Sequence, residues 1–155
     1  MEEQEGISKI IVPEKSERTR RVHAFGVALM SVVLLSVAFI LNPSREGVGT
    51  HRQLGLPECG WILAADVPCP TCGMTTAWSH TVRGEFPTAF MTQPLGLILA
   101  FITFFVAVGG FVTGITGYSF QPLLYRFRPS RIFFLLIALF IFSWGFKILL
   151  YKGVI

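Results

Sequence analysis

Two cysteines two residues apart sit near the middle of the chain, in Cys69-Pro70-Thr71-Cys72-Gly73. That spacing is the commonest short device for bringing two sulfurs within bonding reach. Pro70 fixes its own φ, and Gly73 permits a backbone turn that other residues resist. The sulfurs can then grip one metal ion or form a redox disulfide. CxxC alone does not choose between these, and CPxCG is also the shape of a zinc knuckle. Cys59 lies ten residues before Cys69, in Pro57-Glu58-Cys59-Gly60. It reads as a third ligand, a disulfide partner or a buried thiol. Three cysteines are too few for a disulfide-rich secreted scaffold, and an odd number leaves at least one unpaired within a monomer.

A fourth ligand is harder to find. The stretch Met74–Val82 reads as a short helix with Met74, Trp78 and Val82 on one apolar stripe. On that helix His80 would point about 80° away from Cys72 and lie about 12 Å along the axis, too far to share an ion. His51 and Asp66 remain as loop candidates. Pro70 also suits the first position of a helix, which would place a thiol at a helix N-terminus and lower its pKa. A second short helix is expected to start near Pro87 and bury Phe86, Phe90 and Met91. Together the two pieces would lie on a membrane or dip into it as a cap, with their free backbone groups covered by protein.

The elements that must position this loop are read from hydropathy. Of the 155 residues 52% are hydrophobic and 14% charged, against roughly 25% charged in an ordinary soluble domain, and the mean hydropathy is +0.62. This excludes a disordered chain and argues against a soluble enzyme domain. The fold class expected is an all-α membrane protein with three transmembrane helices, at 22–41, 95–118 and 132–151. Each run is long enough to cross a hydrocarbon core of about 30 Å. Pro94 opens the second run, and Arg128-Pro129-Ser130-Arg131 precedes the third. The first run reads as a signal anchor, since its apolar stretch exceeds that of a cleaved signal peptide and no small-x-small site follows. Residues 1–21 read as a mobile cytoplasmic tail, residues 22–151 as one membrane domain, and residues 42–94 as its long cysteine-containing loop. Gly110 and Gly114 form a small-xxx-small pattern that lets helix backbones approach closely, within the chain or between two copies. Lys147, near the end of the third run, is expected to snorkel to the interface.

Orientation follows from Lys and Arg beside the helix ends. The tail carries five, including Arg18, Arg20 and Arg21, and the short loop Ser119–Arg131 carries Arg126, Arg128 and Arg131. The long loop carries only Arg45, Arg52 and Arg83, against Glu46, Glu58, Asp66 and Glu85. The expectation is N-terminus inside, with the cysteine loop and the C-terminus outside, in a bacterial inner membrane. The basic residues gather on no folded patch, so no nucleic-acid partner is expected. The expected surroundings are the lipid bilayer, and a second copy or another membrane protein.

The segment Leu54–Gly96 resembles a family of small bacterial membrane proteins known as domain of unknown function 2752. The residues that carry the resemblance are Pro57 and Cys59, Cys69-Pro70-Thr71-Cys72-Gly73-Met74-Thr75, Arg83-Gly84, Ala89-Phe90 and Gln93-Pro94. Many members look like CPxCGxTR at the centre; here Thr76 stands in place of that Arg. The resemblance implies a membrane location and a shared cysteine core, and no activity.

No CxxCH, HExxH, GxSxG, phosphate loop or intramembrane carboxylate pair is present. Three readings remain from the residues. The first is an accessory or metal-binding protein holding Zn or Cu at Cys59, Cys69 and Cys72. Zn favours four ligands, whereas two or three thiolates with Met74 nearby suit Cu(I); a dimer could also build a four-thiolate site from two copies of CxxC. The second is a membrane thiol–disulfide oxidoreductase, with Cys69 as nucleophile, Cys72 as resolving thiol and Cys59 as shuttle. The third is a structural scaffold with no site.

Overall fold

The computed structural model describes residues 14–117 and 129–153, with side chains described over 17–117 and 133–153. Among these residues the regular structure is helical throughout. In chain order it comprises α1 (Glu14–Ile40), a short 3-10 helix (Thr50–Leu54), α2 (Gly60–Ala65), α3 (Met74–Val82), α4 (Phe86–Thr92), α5 (Pro94–Thr116) and α6 (Pro129–Tyr151). Three helices are long and apolar enough to cross a membrane, in the windows Glu17–Ile40, Pro94–Thr116 and Phe133–Tyr151. The all-α membrane architecture expected from hydropathy is therefore present. The expected tail before residue 14 and the basic side chains Arg126, Arg128 and Arg131 lie outside the described residues.

Small residues bring α1 and α5 together as an antiparallel pair. A Cβ added at Gly110 would stand 2.9 Å from the Ala24 carbonyl oxygen and 3.2 Å from Ala28 Cβ, and one at Gly114 would meet the Phe25 ring at 2.7 Å. The small-xxx-small pattern thus packs within the chain, against the first helix. Phe25 and Phe111 meet edge to face beside it, with centroids 6.1 Å apart. The pair is fastened at each end by an arginine reaching free carbonyls. Arg20 donates to Gly117 O at 2.6 Å. Arg83 donates to Phe39 O at 2.6 Å and Leu41 O at 2.8 Å, covering the last carbonyls of α1. A helix end leaves such carbonyls without intrahelical partners.

α1 begins at Glu14 rather than Val22. Hydropathy marks the part of a helix that lipid can cover and is blind to its polar extension. Here the extension is held by Arg20 on Gly117 and by the i,i+4 pair Glu17–Arg21 at 2.9 Å. The tail expected over 1–21 is therefore helical over its last eight residues.

α3 has the expected limits. Thr76, Ala77, Ser79 and Thr81 are buried, whereas Met74, Trp78 and Val82 are half-buried. The reason is steric: a Cβ at Gly96 would lie 2.9 Å from Ala77 Cβ, so α3 rests on α5 by its small residues. Thr81 Oγ1 returns its proton to Ala77 O at 2.7 Å, so that hydroxyl is buried without loss. In α4 the buried residues are Ala89 and Thr92. Phe86, Phe90 and Met91 stay 45%, 42% and 58% exposed, on a face suited to lipid.

α6 packs less closely than α1 and α5 do with each other. Among its described side chains Phe133, Phe134, Leu135 and Ile141 are each at least 60% exposed. Its second half turns one polar face, Ser143, Trp144, Lys147 and Tyr151, toward the cysteine loop and the start of α5. Ser143 Oγ accepts the Leu95 N–H at 3.1 Å, an orphan donor of the first turn of α5. Polar side chains place this helix together with the ring contacts Trp61–Trp144 and Phe90–Phe146.

Replacing Gly110 by Val should force α1 and α5 apart and cost about 1–3 kcal/mol, read as a lower thermal midpoint in detergent. Gly109→Ala next door has nothing within 4 Å of the new methyl and should be neutral or mildly stabilising. Equal effects of the two changes would contradict this helix pairing.

Candidate metal centre

The cysteine loop is braced through the 3-10 helix and α3 before any sulfur is considered. Ser44 N–H donates to Thr50 Oγ1 at 2.9 Å, and Thr50 Oγ1 meets Thr76 Oγ1 at 2.7 Å. Both threonines are buried, so the Thr76 hydroxyl anchors the loop. Asn42 and Gln53 exchange two hydrogen bonds. Arg52 and Glu58 form an ion pair at 2.7 Å.

Cys59 is the N-cap of α2, and its carbonyl accepts the N–H groups of Ile62 and Leu63. α2 ends at Asp66, which takes the left-handed conformation at φ 49° and returns the chain toward Cys69. Lys152 and Tyr151 hold the Asp66 carboxylate at 3.0 and 3.1 Å. The Lys152 hydrogen bond is the main reason its carboxyl titrates below the usual carboxylate range.

The segment Cys69–Cys72 is a β-turn closed by Cys72 N–H on Cys69 O at 3.0 Å. Pro70 sits at the second position of that turn, where its fixed φ belongs. The expectation that Pro70 opens a helix is thus corrected: α3 starts at Met74, with Gly73 as its N-cap at φ 85°. Two side chains from outside the turn hold its carbonyls. Fully buried Gln93 donates to Pro70 O at 2.9 Å, and Trp144 Nε1 donates to Pro68 O at 3.0 Å.

The outcome is that Cys59, Cys69 and Cys72 converge. Their Sγ atoms all lie within 4.8 Å of one another, and Cys69 Sγ is 3.1 Å from Cys72 Sγ. Sulfurs bound to one tetrahedral ion at about 2.3 Å stand roughly 3.8 Å apart, so small side-chain shifts suffice to enclose an ion. All three are free thiols. Cys72 is buried and Cys59 and Cys69 are half-buried.

The thiols are electrostatically unequal. Burial drives the Cys72 pKa up, and its hydrogen bonds with Cys69 and Cys59 add to this. At Cys59 burial also opposes ionisation, but hydrogen bonding from Ile62, Cys72 and Cys69 outweighs it and lowers the pKa to about 6. The expected acidification at the start of α3 is absent at Cys72, where desolvation outweighs the helix terminus.

The candidate fourth ligands divide. His80 pairs with Glu85, and Asp66 is taken by Lys152 and Tyr151. His51 Nε2 meets Pro57 O at 3.1 Å. Its ring lines a cavity of about 410 Å³ together with Glu46, Glu58, Cys59, Cys72 and Tyr151. His51 is thus the histidine nearest in placement, while the three sulfurs alone form the cluster.

Lys147 departs most from expectation. Rather than snorkelling, it is 4% exposed, with Nζ donating to Gly47 O at 2.9 Å and Thr92 O at 3.2 Å. An ionisable residue inside an apolar span is the signal that marks it; nearness to the helix end masks that signal. Gln93 and Trp144 carry weaker signals, a polar residue before the proline that starts α5 and an aromatic at a span end.

Gly73 is where the turn, Lys147 and the Gly47 stretch of the loop close on one another. A Cβ there would stand 2.5 Å from Gly47 O and 3.1 Å from Lys147 Nζ. Gly73→Val should therefore lose the site nearly as fully as loss of a cysteine. The left-handed φ alone costs about 1–3 kcal/mol. The check is thiol accessibility: all three cysteines of the variant should react rapidly with a thiol reagent where Cys72 of the parent reacts slowly.

No curated protein and no solved structure matches this chain significantly. Residues 59–107, from the first cysteine of the cluster to the middle of α5, match the family model described as Protein of unknown function (DUF2752), the family that the motif resembles.

Proposed function

We propose that this chain is a small integral membrane protein that binds one transition-metal ion, Zn or Cu, through Cys59, Cys69 and Cys72, and serves as an accessory rather than a catalyst. The observation that carries this reading is the convergence of three free thiols within 4.8 Å from two separate parts of a loop. A disulfide needs only two of them. Three sulfurs satisfy Cu(I) outright and leave Zn one position for a further donor, on the side of the cavity that His51, Glu46 and Glu58 line. That cavity is also an entry path for a cation.

A thiol–disulfide oxidoreductase is the second reading, favoured by the 3.1 Å between Cys69 and Cys72 sulfurs. Burial of Cys72 and its upward-shifted pKa count against it as an attacking group. They leave it the resolving role, with Cys69 as nucleophile.

The membrane orientation belongs to the same proposal: N-terminus in the cytoplasm, cysteine loop and C-terminus outside, in an inner membrane. The Lys/Arg distribution supports it. The polar cluster also sits at one end of the helices, beyond the end of α1.

Purified protein should carry about one equivalent of Zn or Cu per chain. Cys59→Ser, Cys69→Ser and Cys72→Ser should each lose most of it, because the ligands of one ion act as a unit. Affinity should rise with pH, since binding releases thiol protons. Protein free of metal, in which Cys72→Ser instead traps a mixed disulfide through Cys69, would favour the oxidoreductase. For orientation, a C-terminal reporter active only outside the cytoplasm should be active; activity of a cytoplasm-only reporter would reverse the assignment.

A further inference from the structure

Lys147 presents an electrostatic problem that its two hydrogen bonds do not solve. Its ammonium is buried on a helix able to cross a membrane, and among the described residues no carboxylate pairs with it. The partners it has, Gly47 O and Thr92 O, are neutral. A buried charge without a counter-charge is costly. The ammonium lies against Gly73, 3.1 Å from where that residue's Cβ would be, and Gly73 directly follows Cys72 in the chain. The sulfur cluster beside it becomes anionic only when an ion displaces the thiol protons.

Charge arithmetic then bears on what the cluster holds. Three thiolates on a divalent ion leave one net negative charge. We propose that Lys147 is the counter-cation of this centre, so that a divalent ion bound by Cys59, Cys69 and Cys72 forms, with the Lys147 ammonium, a neutral assembly at the membrane edge. This rests on the metal-binding reading above. Lys147 touches no ligand position; it acts through the field it sets at the sulfurs and through the loop it holds. It also makes α6 part of the site, although α6 supplies no ligand.

The role of the charge separates from the role of the hydrogen bonds by comparing a cation and a neutral species that use the same three sulfurs. Zn2+ takes three thiols with release of three protons and leaves a complex of charge −1. Arsenous acid takes the same three thiols, exchanging each As–O bond for As–S and releasing three waters, and its complex is neutral. Neither reaction moves electrons. A positive charge nearby stabilises the first product and is indifferent to the second.

The experiment measures Zn2+ by chelator competition and arsenous acid by direct titration, on full-length protein in detergent. It compares the parent with Lys147→Met, which keeps the length, and Lys147→Gln, which keeps an N–H donor without the charge. Both variants should bind Zn2+ roughly tenfold more weakly or worse, with arsenous acid bound as tightly as by the parent or more tightly. Parallel loss of both species in both variants would overturn the proposal and leave Lys147 a purely structural residue, and so would unchanged Zn2+ binding. Parent protein that binds arsenous acid but not Zn2+ would defeat the metal reading together with this one. Zn2+ binding by the parent that the variants retain would defeat this one alone.

Discussion

A carbonyl that leaves a helix at the edge of a membrane must find a donor, because lipid offers none. The long connection between α1 and α5 exposes many such carbonyls, and side chains from distant elements answer them. Arg83 serves the end of α1, Gln93 serves Pro70, Trp144 serves Pro68, and Lys147 serves Gly47 and Thr92. Arg20 does the same for Gly117 at the opposite end of the α1–α5 pair. Each bond joins residues far apart in sequence, so the loop is fixed from several sides. The position of α6 follows in part from this constraint, since several of its docking groups act through polar atoms.

The cysteine cluster depends on the same bonds. Cys69 and Cys72 would meet in any tight CxxC turn. Cys59 joins them only because α2 ends in the left-handed Asp66, Pro68 is held by Trp144, and the turn is held by Gln93. Gly73 lets Lys147 and the Gly47 carbonyl close over the back of the turn, where a side chain would not fit. A site assembled this way is set up before an ion arrives, and this lowers the ordering cost of binding. The unequal thiols fit the same picture: acidic Cys59 and buried Cys72 both border the cavity, and Lys147 packs on Gly73 directly after Cys72.

Much of this is legible in the sequence, and the parts that are not share a cause. Span lengths, the Pro94 start, the Gly110–Gly114 seam and the limits of α3 all follow from local pattern. So does the pairing of Cys69 with Cys72, and the short return through Asp66 points to Cys59. What local pattern misses is orientation and reach. The Met74, Trp78, Val82 stripe marks one apolar face, but a helix lying between other helices and lipid can bury its small residues most deeply and leave the apolar ones half-buried. Lys147 has a stem long enough to snorkel or to fold inward, and only the loop's unmet carbonyls and the neighbouring thiols decide between the two. Thr76 and Thr50 find each other across 26 residues, a contact with no periodicity to announce it. The α1 extension to Glu14 is polar, so hydropathy does not show it.

The central claim is that three sulfurs from one chain share one ion. X-ray absorption at the metal edge, on purified protein loaded with one equivalent of Zn, reads the donor set directly. The account predicts a shell of three sulfurs at about 2.3 Å, with one lighter donor at about 2.0–2.2 Å. A shell of nitrogen and oxygen alone, or one with a single sulfur, would contradict it.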